Sequence, residues 1–254
     1  MPVTRFMPRR LDKAFQRGEF SSGTNQKSMF AASLSNPEYV TYFDDFLGQT
    51  AGTWPASANW GYPATVGTNT EVIGIAANNV GGALTCTTAA VSGDSAFQYV
   101  GRHWNGTNGF YFICRFKLDR ITNAKFEVGM GDSVTRDSAI ATKATPTFNA
   151  TDGAWFVFDT TDDTNITFIT AKAGVVGSNA DSTVALTADG YITVEIVGAG
   201  GQARGYVNGV EAGGTGDITA ATALTPGFGC VTRTGSTSTL TVDYAACVGP
   251  RLPL

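Results

Sequence analysis

Between Phe110 and Leu118 the sequence reads FYFICRFKL, with Phe110, Phe112, Cys114, Phe116 and Leu118 on one side of a two-residue period and Tyr111, Ile113, Arg115 and Lys117 on the other. Successive side chains of a β-strand point to opposite faces, whereas a helix would scatter those five apolar residues around its circumference. The stretch reads as a central strand of a sandwich, with one face against a core. The same period recurs at Ile192, Val194 and Ile196, and again at Leu240, Val242, Tyr244, Ala246 and Val248. Weaker strand signals fall at 39–47, 71–76, 83–88, 96–100, 124–130, 154–159, 165–171 and 227–232, separated by turn formers that include Gly129 to Asp132 and Thr160 to Thr164. Nothing between them carries the 3.6-residue period of a long helix. With 31 glycines in 254 residues and 15% charged residues, the composition suits many tight turns. A dozen short strands of this kind predict an all-β chain of two stacked antiparallel sheets.

One hairpin is legible in detail. The strand YITVEI (191–196) is followed by a glycine-rich break at Gly198 to Gly201, a second strand bearing Arg204, Tyr206 and Asn208, and the dipeptide Asn208-Gly209, which readily takes the positive φ angles of a tight turn. Tyr-Val-Asn-Gly after YITVEI resembles the hairpin of concanavalin A-like lectin/glucanase and laminin G-like domains. The order FDDF, FYFICRFKL, AKFEVGMGD, DGAWFVFD, YVNG and LTVDYAACV is similar to lectin-like jelly rolls encoded by bacteriophages, over residues 39–250. The resemblance implies a two-sheet antiparallel jelly-roll sandwich whose first and last strands are neighbours.

Residues 1–37 differ from the rest. They hold six basic residues (Arg5, Arg9, Arg10, Lys13, Arg17, Lys27) against Asp12 and Glu19, a net of +4, which leaves −8 on the remainder of a chain whose total is −4. Pro8, Leu11, Ala14, Phe15 and Gly18 allow a short helix there, one too short to be stable without a partner surface. Phe6, Met7, Leu11, Phe15, Phe20, Met29 and Phe30 make the segment too apolar for a solvating tail. We read it as an extended N-terminal docking arm, with Asn36-Pro37 as the boundary to a β-sandwich over 38–254. A disordered tail is the alternative; a nucleic-acid arm is disfavoured because the positive charge is diluted and the body is acidic. No secretory signal and no apolar run of membrane-spanning length is seen, so a soluble protein made in the cytoplasm is expected.

The side chains that carry chemistry are few. His103 is the only histidine and stands in GRHWNG, a loop context with Trp104 as its stacking neighbour. Glycoside hydrolysis needs two carboxyl groups, which jelly-roll glucanases place at alternate positions of one strand; in 125–132 only Glu127 lies on the strand, with Gly129 and Gly131 where further acids would stand. Asp159, Asp162, Asp163 and Asn165 crowd one turn and have the oxygens for a calcium ion, but an ordinary polar turn accounts for them better. GGTG at 213–216 lacks the Lys-Ser/Thr of a phosphate loop. Cys86, Cys114, Cys230 and Cys247 have no metal-ligand spacing and read as buried inert thiols, with an inter-strand disulfide left open.

These readings predict no catalytic residue, no metal and no cofactor; with them, the resemblance to bacteriophage-encoded jelly rolls implies a non-enzymatic virion structural protein, specifically a capsid decoration protein. Its contact with the major capsid protein or another virion protein would run through Arg5, Phe6, Arg9, Arg10, Leu11, Lys13, Phe15 and Arg17. The alternative is a glycan-binding, lectin-like module of a phage fibre or adhesin, with Trp54, Trp60, His103 and Trp104 as the sugar-stacking residues. Either way the expected setting is the virion after synthesis in the host cytoplasm, as a homo-oligomer, with no membrane and no nucleic acid as partner.

Overall fold

A computed structural model describes residues 39–44, 46, 52, 53, 65, 66, 69, 71–76, 82–133, 138–219 and 221–251. Residues 1–37, read above as a docking arm, and Trp54 and Trp60 lie outside these residues. In chain order the strands are β1 (Tyr39–Asp44), β2 (Gly52–Thr53), β3 (Thr65–Val66), β4 (Val72–Ile75), β5 (Leu84–Thr87), β6 (Ser95–Tyr99), β7 (Phe110–Leu118), β8 (Ala124–Gly131) and β9 (Ile140–Thr142). They continue with β10 (Thr147–Phe148), β11 (Gly153–Asp159), β12 (Asn165–Lys172), β13 (Val175–Ala185), β14 (Ile192–Ala199), β15 (Gln202–Val207), β16 (Val210–Asp217), β17 (Thr225–Thr232) and β18 (Thr239–Pro250). No helix occurs among the described residues.

A nine-stranded antiparallel sheet runs β16-β15-β14-β7-β18-β5-β4-β2, with β1 also on β18. A seven-stranded sheet runs β13-β12-β11-β8-β17-β6-β3. The chain is the expected antiparallel jelly-roll sandwich. Its first and last strands are neighbours: β18 is long enough to pair β5 through Thr239 to Val242 and β1 through Ala245 to Pro250. The hairpin forms as read, with Asn208 at φ 50° and Gly209 at φ 80° linking β15 to β16.

Alternation places one face of each central strand between the sheets. Phe112, Phe116, Phe126, Phe156, Phe158 and Phe168 are fully buried there. Phe126 stands at the centre, 4.8 Å from the Phe116 ring edge-on and 5.7 Å from the Phe158 ring stacked. All four cysteines are free and buried, and burial pushes their thiols up, Cys230 to about 12. Inert thiols are what the structure shows; no disulfide forms.

Two expectations change. Gly129 to Asp132 does not begin as a turn: Gly129 is paired to Trp155 and Gly227, and Gly131 to Gly153 and Thr225, so β8 is held as strand from both sides. The unforeseen β13 is an exposed edge strand with no apolar face to announce it. It closes the sandwich against β16, which accounts for two glycines of GGTG: a Cβ at Gly213 would fall 2.0 Å from the Ala180 Cβ, and one at Gly216 would fall 2.6 Å from the Ser178 Cβ. Only glycine lets the two edges approach so closely.

Candidate functional site

In β8 Ala124, Phe126, Val128 and Met130 point between the sheets, so Lys125, Glu127, Gly129 and Gly131 point away from the core. Such a face would normally meet water, yet all eight residues of β8 are buried. The cover is the strap formed by residues 138–150, which includes the short β9–β10 ladder. Ala139, Ile140, Phe148 and Ala150 of the strap pack on Trp155, Val157, Ile169 and Ala171 of β11 and β12, making a third apolar layer.

Charge pins this layer down. Lys125 and Glu127 are 0% and 2% exposed, with Lys125 Nζ 2.6 Å from Glu127 Oε1. The Glu127 carboxylate accepts the Ala139 N–H at 2.6 Å and the Ile140 N–H at 3.0 Å. Lys125 donates in turn to Ser138 Oγ at 2.9 Å and to the Ile140 carbonyl. An ammonium has three donors, and all three are used. A buried pair repays its desolvation only when its remaining hydrogen-bonding capacity is satisfied, and here the strap backbone supplies the missing partners. Further along the strap Lys143 donates to Asp163 and, at 2.9 Å, to the Asn165 carbonyl, with Asp162 3.8 Å away.

Beside the strap the same face is paved with rings. A Cβ at Gly131 would lie 2.6 Å from the Trp155 ring, one at Gly227 2.7 Å from Tyr99, and one at Gly229 2.4 Å from Phe97. The glycines of β8 and β17 therefore supply the room in which rings of β11 and β6 lie over the sheet. Phe97 and Tyr99 stack at 6.1 Å with a 15° interplanar angle. Between them and Trp155 a cleft remains, with Glu127 and Thr225 in its lining and about 250 Å³ of empty space including the open mouth. Its deep part has room for about one water molecule.

The sequence candidates fall elsewhere. Trp104 is 1% exposed and belongs to the inter-sheet core, its Nε1 donating to the Val40 carbonyl at 3.3 Å while its backbone pairs with Leu224. A ring enclosed between the two sheets offers no face to a sugar, which corrects the glycan-binding assignment of Trp104. His103 is exposed and meets the Trp104 ring edge-on, at 5.6 Å and 77°, rather than stacked. In the acidic turn Asp159 binds Arg233 through Nε at 2.9 Å and through the terminal nitrogen, and also accepts from Thr161. Burial pushes this carboxyl up, but Arg233 and Thr161 outweigh it and hold it below the usual carboxylate range. Asp163 is likewise raised by burial and lowered further by Lys143 and the Asn165 N–H. These acids are occupied by the chain's own cations, and among the described residues no metal-binding cluster is found. The sequence reading singled out Glu127 and missed Lys125, Phe97, Tyr99 and Trp155. The available signal was that Lys125 and Glu127 share a face with two glycines, opposite strands rich in aromatic residues.

No family model and no curated relative matches the sequence. Solved structures do. A protein of unknown function, SO2946 from Shewanella oneidensis MR-1, superimposes with a TM-score of 0.57 at 14% identity, over 91% of this chain and 95% of that one. Peanut lectin follows at 0.56 and 9% identity, over 85% of this chain and all of the lectin. Crh5 transglycosylase gives 0.52 at 12% identity, over 84% and 85%. The fold is the concanavalin A-like jelly roll. At these identities the likeness is one of fold alone. Because a lectin and a transglycosylase share it, the expectation that the chain is not an enzyme is overturned: this architecture houses catalysts as readily as binders, and the lone Glu127 does not separate them.

Proposed function

We propose that the chain is a carbohydrate-recognising module whose saccharide site is the aromatic cleft on the outer face of the seven-stranded sheet. The observation that carries this reading is the juxtaposition of Phe97, Tyr99 and Trp155, lying over glycines and 2%, 6% and 4% exposed, with the Glu127 carboxylate in one lining. Apolar sugar faces stack on aromatic rings, and a carboxylate accepts hydroxyl hydrogen bonds. The fold it shares with peanut lectin adds support of a general kind. Its deep part holds about one water molecule, so as it stands the cleft admits no sugar ring, and a saccharide reaches these side chains only once residues of the rim move aside. The test is a glycan array with the full chain, repeated with Tyr99→Ala and Trp155→Phe, and with each bound glycan checked by mass spectrometry for cleavage or transfer. Binding that weakens in both variants supports the site; an array with no signal for the parent protein removes it.

A second reading is favoured by the charge segregation between residues 1–37 (+4) and the rest (−8): the module is a capsid decoration component of a virion, docked through its arm. Removing residues 1–37 should abolish co-sedimentation with purified capsids while the body keeps its β-sheet circular dichroism. Attachment that survives the deletion eliminates this reading.

A further inference from the structure

We infer that the strap, residues 138–150, is a built-in pseudo-ligand that gates the cleft, and that the ligand it imitates is a neutral oligosaccharide presenting a vicinal diol. The inference rests on the saccharide site proposed above. Its basis is the way Glu127 is satisfied. The two carboxylate oxygens accept two N–H groups from the adjacent residues Ala139 and Ile140, at 2.6 and 3.0 Å. Two hydroxyls on neighbouring sugar carbons offer a carboxylate the same pair of parallel donors. The Lys125 ammonium, which donates to the Ile140 carbonyl and Ser138 Oγ, would donate equally to sugar oxygens. Above the polar contact Ile140 packs in the cluster with Trp155 and Val157, where the apolar face of a pyranose would lie.

Glu127, Lys125 and the adjoining apolar ground are thus already engaged by the strap's backbone, the Ser138 hydroxyl and the Ile140 side chain. Ala139 also lines the cleft, so withdrawal of residues 138–140 would lengthen it along β8 from Glu127 to Lys125. The ligand is neutral on electrostatic grounds. Lys125, Lys143 and Arg233 on this side are each matched by an acid of the chain, and residues 38–254 carry −8, so a polyuronate would be repelled.

The experiment follows hydrogen exchange of the Ala139 and Ile140 amides in the full chain, with cellohexaose and laminarihexaose as neutral probes and hexamannuronate as the anionic one. The variant Ile140→Ser loosens the strap while leaving the Lys125–Glu127 pair intact, and exchange at Phe126 reports that the inter-sheet core is still folded. The expected result is that a neutral hexasaccharide binds, that protection at Ala139 and Ile140 falls on binding, and that Ile140→Ser binds about tenfold more tightly because less binding energy is spent on opening the strap. Binding with unchanged protection at these amides, with equal affinity in both proteins, or preferentially to hexamannuronate, overturns the gate while the saccharide site stands. No binding by either protein overturns the saccharide site, and the gate with it.

Discussion

The layer between the two sheets and the layer beneath the strap are both closed to water, but they are built differently. Between the sheets, phenylalanine rings from facing strands meet with no need of partners, as at Phe116, Phe126 and Phe158. Beneath the strap, the same strand β8 turns a lysine and a glutamate inward, and closure depends on backbone N–H and C=O groups of residues far along the chain. An apolar layer needs only area and shape, whereas a layer containing buried charge needs each hydrogen bond in place. Lifting the strap would uncover, beside the apolar Trp155, Val157 and Ile169, a charged pair that water or hydroxyls can satisfy; separating the sheets uncovers rings alone, which they cannot.

The largest effect is expected in the apolar layer. Phe126→Ala should lower unfolding stability by about 4 kcal/mol, read from the urea midpoint, because the site leaves a ring-sized void between the Phe116 and Phe158 rings. Next is the charged layer. Lys125→Met leaves Glu127 buried and unmatched and should cost about 3 kcal/mol, while the double change Lys125→Met/Glu127→Leu should recover most of it. If the double variant is as unstable as the single one, the pair is not the unit that holds the strap.

A smaller effect is expected from Asp159→Asn, about 2 kcal/mol at neutral pH through the weakened contact with Arg233. Its pH dependence has a definite sign. The folded carboxyl is held below its ordinary value of 3.8, so its contribution is fully present above that value and is lost as pH falls through the lower folded value. The gap between parent and variant should therefore close below about pH 4, and a gap that is constant down to pH 2 would exclude the Arg233 pairing as its cause. The smallest change is His103→Ala, expected to stay within about 0.5 kcal/mol because His103 is exposed and touches Trp104 only edge-on.

Much of the sandwich was legible because its strands alternate over residues that sit in both sheets' interiors. The nine residues of β7 and the Asn208-Gly209 turn announce themselves locally, and the neighbouring of β1 and β18 followed from the resemblance. β13 was not legible, since it lies on an edge where neither face is buried and small residues are required only by the approach of β16. At the site, Glu127 was noticed as a lone strand carboxylate, while its partner Lys125 and the strap amides that it binds were not. Trp104 shows the reverse error: its glycine-flanked position reads as a loop ring open to ligands, and the fold makes it part of the core.

What the sequence determined by itself is the alternation, and through it which side of each central strand is apolar; a two-residue period is a local property that needs no knowledge of the partner strand. What only the tertiary structure decided is the fate of the other side. Whether Lys125 and Glu127 face water or lie sealed beneath Ala139 and Ile140 depends on a chain segment a dozen residues distant folding back over them, and burial of that kind is a sum over neighbours in space that no local pattern records.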